Sequence, residues 1–269
     1  MAEIFNLQEV GFTYMLNQPA LSGINMVVNQ GEILSIIGAN GSGKSTLLHL
    51  LCGLIFPSIG KIKFKDIAIT EDKLKEAEFN RKFRASIGYI FQNSDAQLFC
   101  PTVMDELLFG PLQMGLSKSS AYERAEEILN ILNIAELKDR PPYMLSGGEK
   151  KRVAIGAVLT SNPEILVIDE PMSGLDPKTR SFFIEMIFKL NEAGKTIIIA
   201  THHLELVDHL QSRVVVLSEQ HRIEKIGNAE EVLKDLDLLI RTNLIHEHLH
   251  RHGDNIHKHL PNGFLFHNH

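Results

Sequence analysis

Ile33-Leu-Ser-Ile-Ile37 runs directly into Gly38-Ala-Asn-Gly-Ser-Gly-Lys-Ser45, and Thr46 opens the apolar stretch Leu47-Leu-His-Leu-Leu51. The middle eight residues satisfy G-x-x-x-x-G-K-[ST] at every fixed position. The glycines let successive backbone amides turn inward and cradle phosphate oxygens where a helix begins. Lys44 would then set a point charge on the β and γ phosphates, and Ser45 would give its hydroxyl to Mg²⁺. A Gly-rich turn opening an ordinary helix is the alternative. A strand on one side and a helical run on the other favour the cradle.

Outward from that loop, short β-branched runs alternate with helical patterns, which predicts α/β architecture. Strands are expected at Ile4–Val10, Ile24–Val28, Ile33–Ile37, Ile62–Phe64, Ile87–Phe91, Ile165–Ile168, Thr196–Ala200, Val214–Leu217 and Ile223–Ile226. Ile165-Leu-Val-Ile168 is apolar throughout, as a central parallel strand covered on both faces should be. It ends in Asp169-Glu170, two carboxylates at the end of a strand that would face a ligand crevice. Asp169 would hold Mg²⁺, and Glu170 would polarise the water that attacks a γ-phosphate. A solvated strand end is the competing reading of the pair. Between Asn93 and Asn162 the strand signal disappears. Thr102–Met114, Ser119–Asn133 and Gly148–Thr160 read as helices, so residues 93–162 form a helical insertion.

Of the 269 residues, 44% are hydrophobic and 22% charged, which suits a full globular core. The net charge of -6 argues against a nucleic-acid binder. Cys52 and Cys100 are too few for a disulfide framework. The longest greasy stretch, Leu47 to Phe56, is interrupted by His49, whereas a membrane span needs about 20 apolar residues. With no secretory signal in the first residues, the chain is expected at a membrane only through a partner.

Leu145-Ser-Gly-Gly-Glu149, upstream of the Asp169 strand, resembles the signature motif of the ATP-binding cassette family, and the likeness runs from about residue 3 to 235. Taken alone, Ser146 with Glu149 is also a capping box. The resemblance implies a P-loop ABC ATPase core with an antiparallel β subdomain and an inserted helical subdomain, in a domain of residues 1–240. It implies ATP contacts from Tyr14, Gly38, Ala39, Asn40, Gly41, Ser42, Gly43, Lys44, Ser45 and Thr46. Tyr14 resembles the aromatic that stacks on adenine, and Gln92 the glutamine that contacts Mg²⁺ and senses the γ-phosphate. His202 resembles the histidine that reaches that phosphate; its neighbour His203 stands where an acidic residue is common. Ser146, Gly147, Gly148 and Glu149 would meet the ATP of a second subunit, Glu149 standing where many members have Gln. Asp176, in Ser173-Gly-Leu-Asp176, resembles the loop between the two sites. A homodimer and transmembrane partner subunits follow from the same resemblance, placing the chain on the cytoplasmic face of the cell membrane. The stretch Gln92 to Thr102 is similar to energy-coupling-factor importer ATPases for cobalt or nickel. ABC ATPases outside transport, and P-loop kinases or GTPases, are the rival classes; the latter lack a Leu-Ser-Gly-Gly signature.

From Arg241 the composition changes, and eight of the thirteen histidines fall between His246 and His269. Residues 241–269 therefore read as a tail. His246, His248, His250 and His252 alternate, so they share a face if extended and form i,i+4 pairs if helical. Either arrangement would give weak Ni²⁺, Co²⁺ or Zn²⁺ binding, with an inert polar tail as the alternative.

Overall fold

A parallel sheet surrounds the glycine loop because its strands are apolar enough to be covered on both faces. The structure is a computed structural model and describes residues 2–15, 18–245, 248–252 and 255–259. The chain opens with two long strands, β1 (Glu3–Met15) and β2 (Gln18–Asn29), followed by β3 (Ile33–Ile37) and helix α1 (Lys44–Leu51). Then come β4 (Ile59–Phe64), β5 (Ile67–Ala68), α2 (Glu71–Lys75), α3 (Ala77–Ser86) and β6 (Ile87–Ile90). Three helices follow: α4 (Val103–Gln113), α5 (Lys118–Ile131) and α6 (Gly147–Leu159). The chain returns through β7 (Ile165–Asp169), α7 (Pro177–Glu192), β8 (Thr196–Thr201), α8 (Leu204–Leu210), β9 (Arg213–Leu217) and β10 (Ile223–Asn228). Two short helices, α9 (Ala229–Leu233) and α10 (Leu236–Arg241), precede the last described strands, β11 (His248–His252) and β12 (Asn255–His259).

The main sheet has the order β10-β9-β3-β8-β7-β6, all parallel except β10, which runs antiparallel to β9. Every residue of β7 and β8 is buried, matching the unbroken apolar run of the sequence. The second sheet, β2-β1-β4-β5, is antiparallel and shares a core with α1 and the main sheet. The other face of the main sheet packs against α4 to α7.

Some boundaries differ from the sequence expectation. β1 and β2 run well past Val10 and begin well before Ile24, because their outer halves are partly exposed and broken by register shifts around Val10 and Phe12, which erases a clean two-residue alternation. The core also reaches beyond residue 240. Leu238, Leu239 and Ile245 are buried in one cluster with Val214 and Val216, so packing continues as far as Ile245. Of the tail, β11 and β12 form an antiparallel pair in which His248 lies opposite His259 and His250 opposite His257. The extended alternative, not the helical one, holds for His248, His250 and His252, while His246 lies outside the described residues.

The helix starts follow local chemistry. Thr102, Ser117 and Asp176 each accept a backbone N–H of the first turn of α4, α5 and α7, and Pro177 occupies the first position of α7. Where α6 crosses β6, Gly88 allows close approach. A β-carbon there would run into Val158 and would meet Pro163 Cγ at 2.8 Å. Gly88→Ala should cost about 1–3 kcal/mol of stability by overpacking. Urea denaturation checks this, and an unchanged midpoint would show that α6 has room to lift from the sheet.

Candidate functional site

The carboxyl ends of β7, β8 and β3 lie side by side, since β8 pairs with both neighbours. Three loops therefore leave the sheet at one edge, which is where open α/β sheets gather ligand-binding residues. The loop after β3 is the glycine cradle. Gly43 has φ of 105°, and a β-carbon on it would strike the Ala20 carbonyl and stand 2.8 Å from Leu21 Cδ2. Gly38 is equally confined, with the Leu217 carbonyl 2.7 Å from where a β-carbon would sit. Lys44 is buried and donates to the carbonyls of Gly38 at 2.8 Å and Ala39 at 3.1 Å. Burial holds its pKa below the usual 10.5, with Glu170 and Asp169 pulling the other way.

The loop after β7 supplies the carboxylates. The strand ends at Asp169, and Glu170 adopts φ of 43° while its N–H donates to the Ala200 carbonyl at 2.9 Å. That left-handed turn frees the pair from strict strand alternation, so both side chains serve one site. Asp169 accepts from Tyr89 Oη at 3.4 Å, while its Oδ1 is buried without a partner. Burial raises its pKa, the nearby Ser45 hydroxyl opposing and Glu170 adding to the rise. Glu170 is 5% exposed. Its Oε1 lies 2.9 Å from His202 Nδ1 and 3.7 Å from Lys44 Nζ, and its Oε2 accepts from Thr201 Oγ1 at 3.2 Å.

The cradle, Gln92, Glu170 and Tyr14 line one cleft of about 670 Å³. Tyr14 is exposed, packs edge-on against Phe12 and shares a 3.2 Å hydrogen bond with Thr46 Oγ1. Asn40 and Gly41 also line the cleft, and the buried Ser42 hydroxyl has no partner. Gln92 sits in the loop after β6, which α6 ties down. Lys151 Nζ donates to the Phe91 carbonyl at 3.0 Å and to that of Gln92 at 3.5 Å, and Lys150 pairs with Asp95 at 2.6 Å.

Ser146–Glu149 do not line that cleft. They start α6, where Ser146 N–H and Oγ–H both donate to Glu149 Oε2, at 2.8 and 2.7 Å, closing the capping box. Gly147 has open space around it, and a β-carbon on Gly148 would lie 3.8 Å from Asp176 Oδ2. The signature residues and the Asp176 loop are thus neighbours on a separate surface. Ser146 and the two glycines leave the helix N-terminus open to an anion.

An all-oxygen donor set suits Mg²⁺. The partnerless Oδ1 of Asp169 and the hydroxyl of Ser45 fit a hard cation that keeps several waters, with Gln92 at the rim of the same cleft. Sequence reasoning missed Thr201, Tyr89, Lys151 and His221. Each acts through a neighbour or lines a wall and carries no motif; Thr201, just before His202, had the clearest positional signal.

Comparison with known proteins identifies the family. A family model described as "ABC transporter" matches residues 21–173. A protein of Methanosarcina acetivorans, named as an ABC transporter ATP-binding protein with no cargo specified, is 49% identical over 256 residues, covering 94% of this chain and 93% of that protein. The nickel import ATP-binding protein NikO of Rhodobacter capsulatus is 42% identical over 248 residues, covering 91% of this chain and 97% of that protein. Among solved structures, CbiO1 of Clostridium perfringens, described as part of the ABC transporter complex CbiONQ, superposes with a TM-score of 0.77 at 37% identity, covering 91% of this chain and 96% of that one. The chain belongs to the ABC transporter ATP-binding family and is an ATPase.

Burial depresses the pKa of Lys151 from 10.5 to about 8, with Asp169 opposing. Between those values the unfolded chain keeps a proton that the folded chain has released, so this group makes stability rise with pH from about 8 to 10.5. Denaturant titrations of wild type and Lys151→Met at pH 7.5, 9 and 10 should show wild type gaining on the variant as pH rises. Parallel curves would contradict a lysine whose charged form burial disfavours in that site.

Proposed function

We propose that this ATPase energises a membrane importer, with a nickel- or cobalt-class cation as cargo, and that it works as a homodimer. The observation that carries the reading is Glu170, buried and held at once by Lys44 and His202 beside the cradle. ATP seats its phosphates on the amides of residues 38–46, with adenine against Tyr14. The γ-phosphate draws the Lys44 ammonium and the His202 imidazole to its oxygens, which leaves the Glu170 carboxylate to take a proton from the attacking water. Ser45, Asp169 and Gln92 would hold Mg²⁺, which supplies neutralising charge to the phosphates.

One chain carries one cradle and one signature helix on separate surfaces. A two-fold pair sets the cradle of each against Ser146–Gly148 of the other, and the same two patches complement each other twice. Hydrolysis removes the γ-phosphate contacts that hold the pair together, and the helical segment passes the separation to a membrane partner. No helix among the described residues is long and apolar enough to cross a membrane. In the proposed assembly, transmembrane subunits form the path and hold this chain at the cytoplasmic face. The name of the Rhodobacter relative supports nickel as cargo, the likeness over Gln92–Thr102 extends the class to cobalt, and the imidazoles of His246, His248, His250 and His252 suit weak binding of those ions. An importer of another small nutrient would share every feature of the ATP site.

Glu170→Gln should keep ATP affinity while turnover falls about 10²–10⁴-fold. Lys44→Ala should weaken ATP binding itself. Nucleotide titration and steady-state hydrolysis check both, and equal turnover by Glu170→Gln and wild type would remove Glu170 from its role. Cells carrying the whole transporter with Glu170→Gln should lose nickel or cobalt uptake; retained uptake would rule out that cargo for this motor.

A further inference from the structure

His203 gives the hydrolytic site a donor that ATP hydrolysis does not call on. One ligand atom each from Glu170, His202 and His203 lies within 4.8 Å of the other two. The two imidazole centroids are 4.1 Å apart, and His202 Nδ1 is already 2.9 Å from Glu170 Oε1. Three protein ligands of the His₂Glu type, with one position left for water, form a donor set that holds Zn²⁺ in open tetrahedral sites. A bond length of roughly 2.0–2.2 Å puts neighbouring donors some 3–3.6 Å apart, so small side-chain rotations close the set.

The surroundings favour such an ion over Mg²⁺. Imidazole suits Zn²⁺, Ni²⁺ and Co²⁺, whereas Mg²⁺ takes oxygen ligands and sheds water reluctantly. Glu170 is buried and already oriented by Thr201, so one ligand is preorganised, and the half-exposed His202 ring gives solvent a way in. Lys44, 3.7 Å from Glu170 Oε1, is engaged with the carbonyls of Gly38 and Ala39, and Arg180, which lines a pocket with His203, donates to the Leu175 carbonyl.

We propose that Glu170, His202 and His203 form a site for a borderline divalent cation of the zinc, nickel and cobalt class, and that its occupation arrests ATP hydrolysis. The bound ion takes the lone pairs of Glu170 that would polarise water and the His202 nitrogen that would reach the phosphate. It thereby couples free cation on the ATPase side to the motor without a separate regulatory domain. The arrest rests on the catalytic reading of Glu170; the binding does not.

Full-length wild type and His203→Ala are compared in two measurements. Nucleotide-free protein titrated with Co²⁺ should develop a visible absorption band typical of low coordination in wild type, absent from His203→Ala; tail histidines contribute equally to both. Hydrolysis at saturating Mg-ATP, with free Zn²⁺ set by a metal buffer, should be half-inhibited in His203→Ala only at a free Zn²⁺ at least about tenfold higher than in wild type, since losing even an outer partner of a ligand costs 10–100-fold. Uninhibited turnover should be alike in the two. Superimposable Co²⁺ spectra would overturn the site, whatever becomes of the catalytic assignment. A difference in Co²⁺ binding with identical Zn²⁺ inhibition would leave the cation site but overturn the arrest.

Discussion

The carbonyls of Gly38 and Ala39 hold the Lys44 ammonium in the mouth of a loop that only glycine can build. A buried lysine needs partners, and here those partners are the cradle backbone and, farther off, Glu170. The positive charge, the loop amides and the carboxylate therefore form one electrostatic unit suited to a phosphate. The rest of the fold serves to keep that unit open. The parallel sheet fixes the ends of β3, β7 and β8 side by side, and the left-handed turn at Glu170 brings its carboxylate round to Lys44.

Coupling between the two surfaces has a structural basis in α6. Its first turn carries Ser146, Gly147 and Gly148, while Lys150, Lys151 and the Gln97–Ala154 hydrogen bond pin the Gln92 loop to the same helix. On the proposed mechanism, a shift at the Ser146 end would move the loop that lines the chain's own cleft. Rigid elements with polar ties transmit such shifts, because packed interfaces move between discrete arrangements and do not deform smoothly.

Much of this was legible in the residues. The cradle announced itself because its glycines and lysine are spaced by backbone geometry, and the two carboxylates because they ended an entirely apolar strand. The parallel core strands were readable for the same reason: burial on both faces leaves no alternation to misread. The outer halves of β1 and β2 were not, since exposure and bulges blur a two-residue period. Thr201, Tyr89 and Lys151 were hidden because each matters through a contact distant in sequence. The chain after Arg241 was read as tail from its histidines, yet Ile245 still packs into the core; composition averages over a boundary that a single buried side chain sets.

The central claim is that a triphosphate is shared between the cradle of one copy and the Ser146–Gly148 helix start of another. Sedimentation velocity on Glu170→Gln, with and without Mg-ATP, tests it most directly. The account predicts a monomer without nucleotide, a dimer with ATP, and a return to monomer when Ser146 is also replaced by Arg. A Glu170→Gln protein that binds ATP yet sediments as a monomer at every concentration would contradict it.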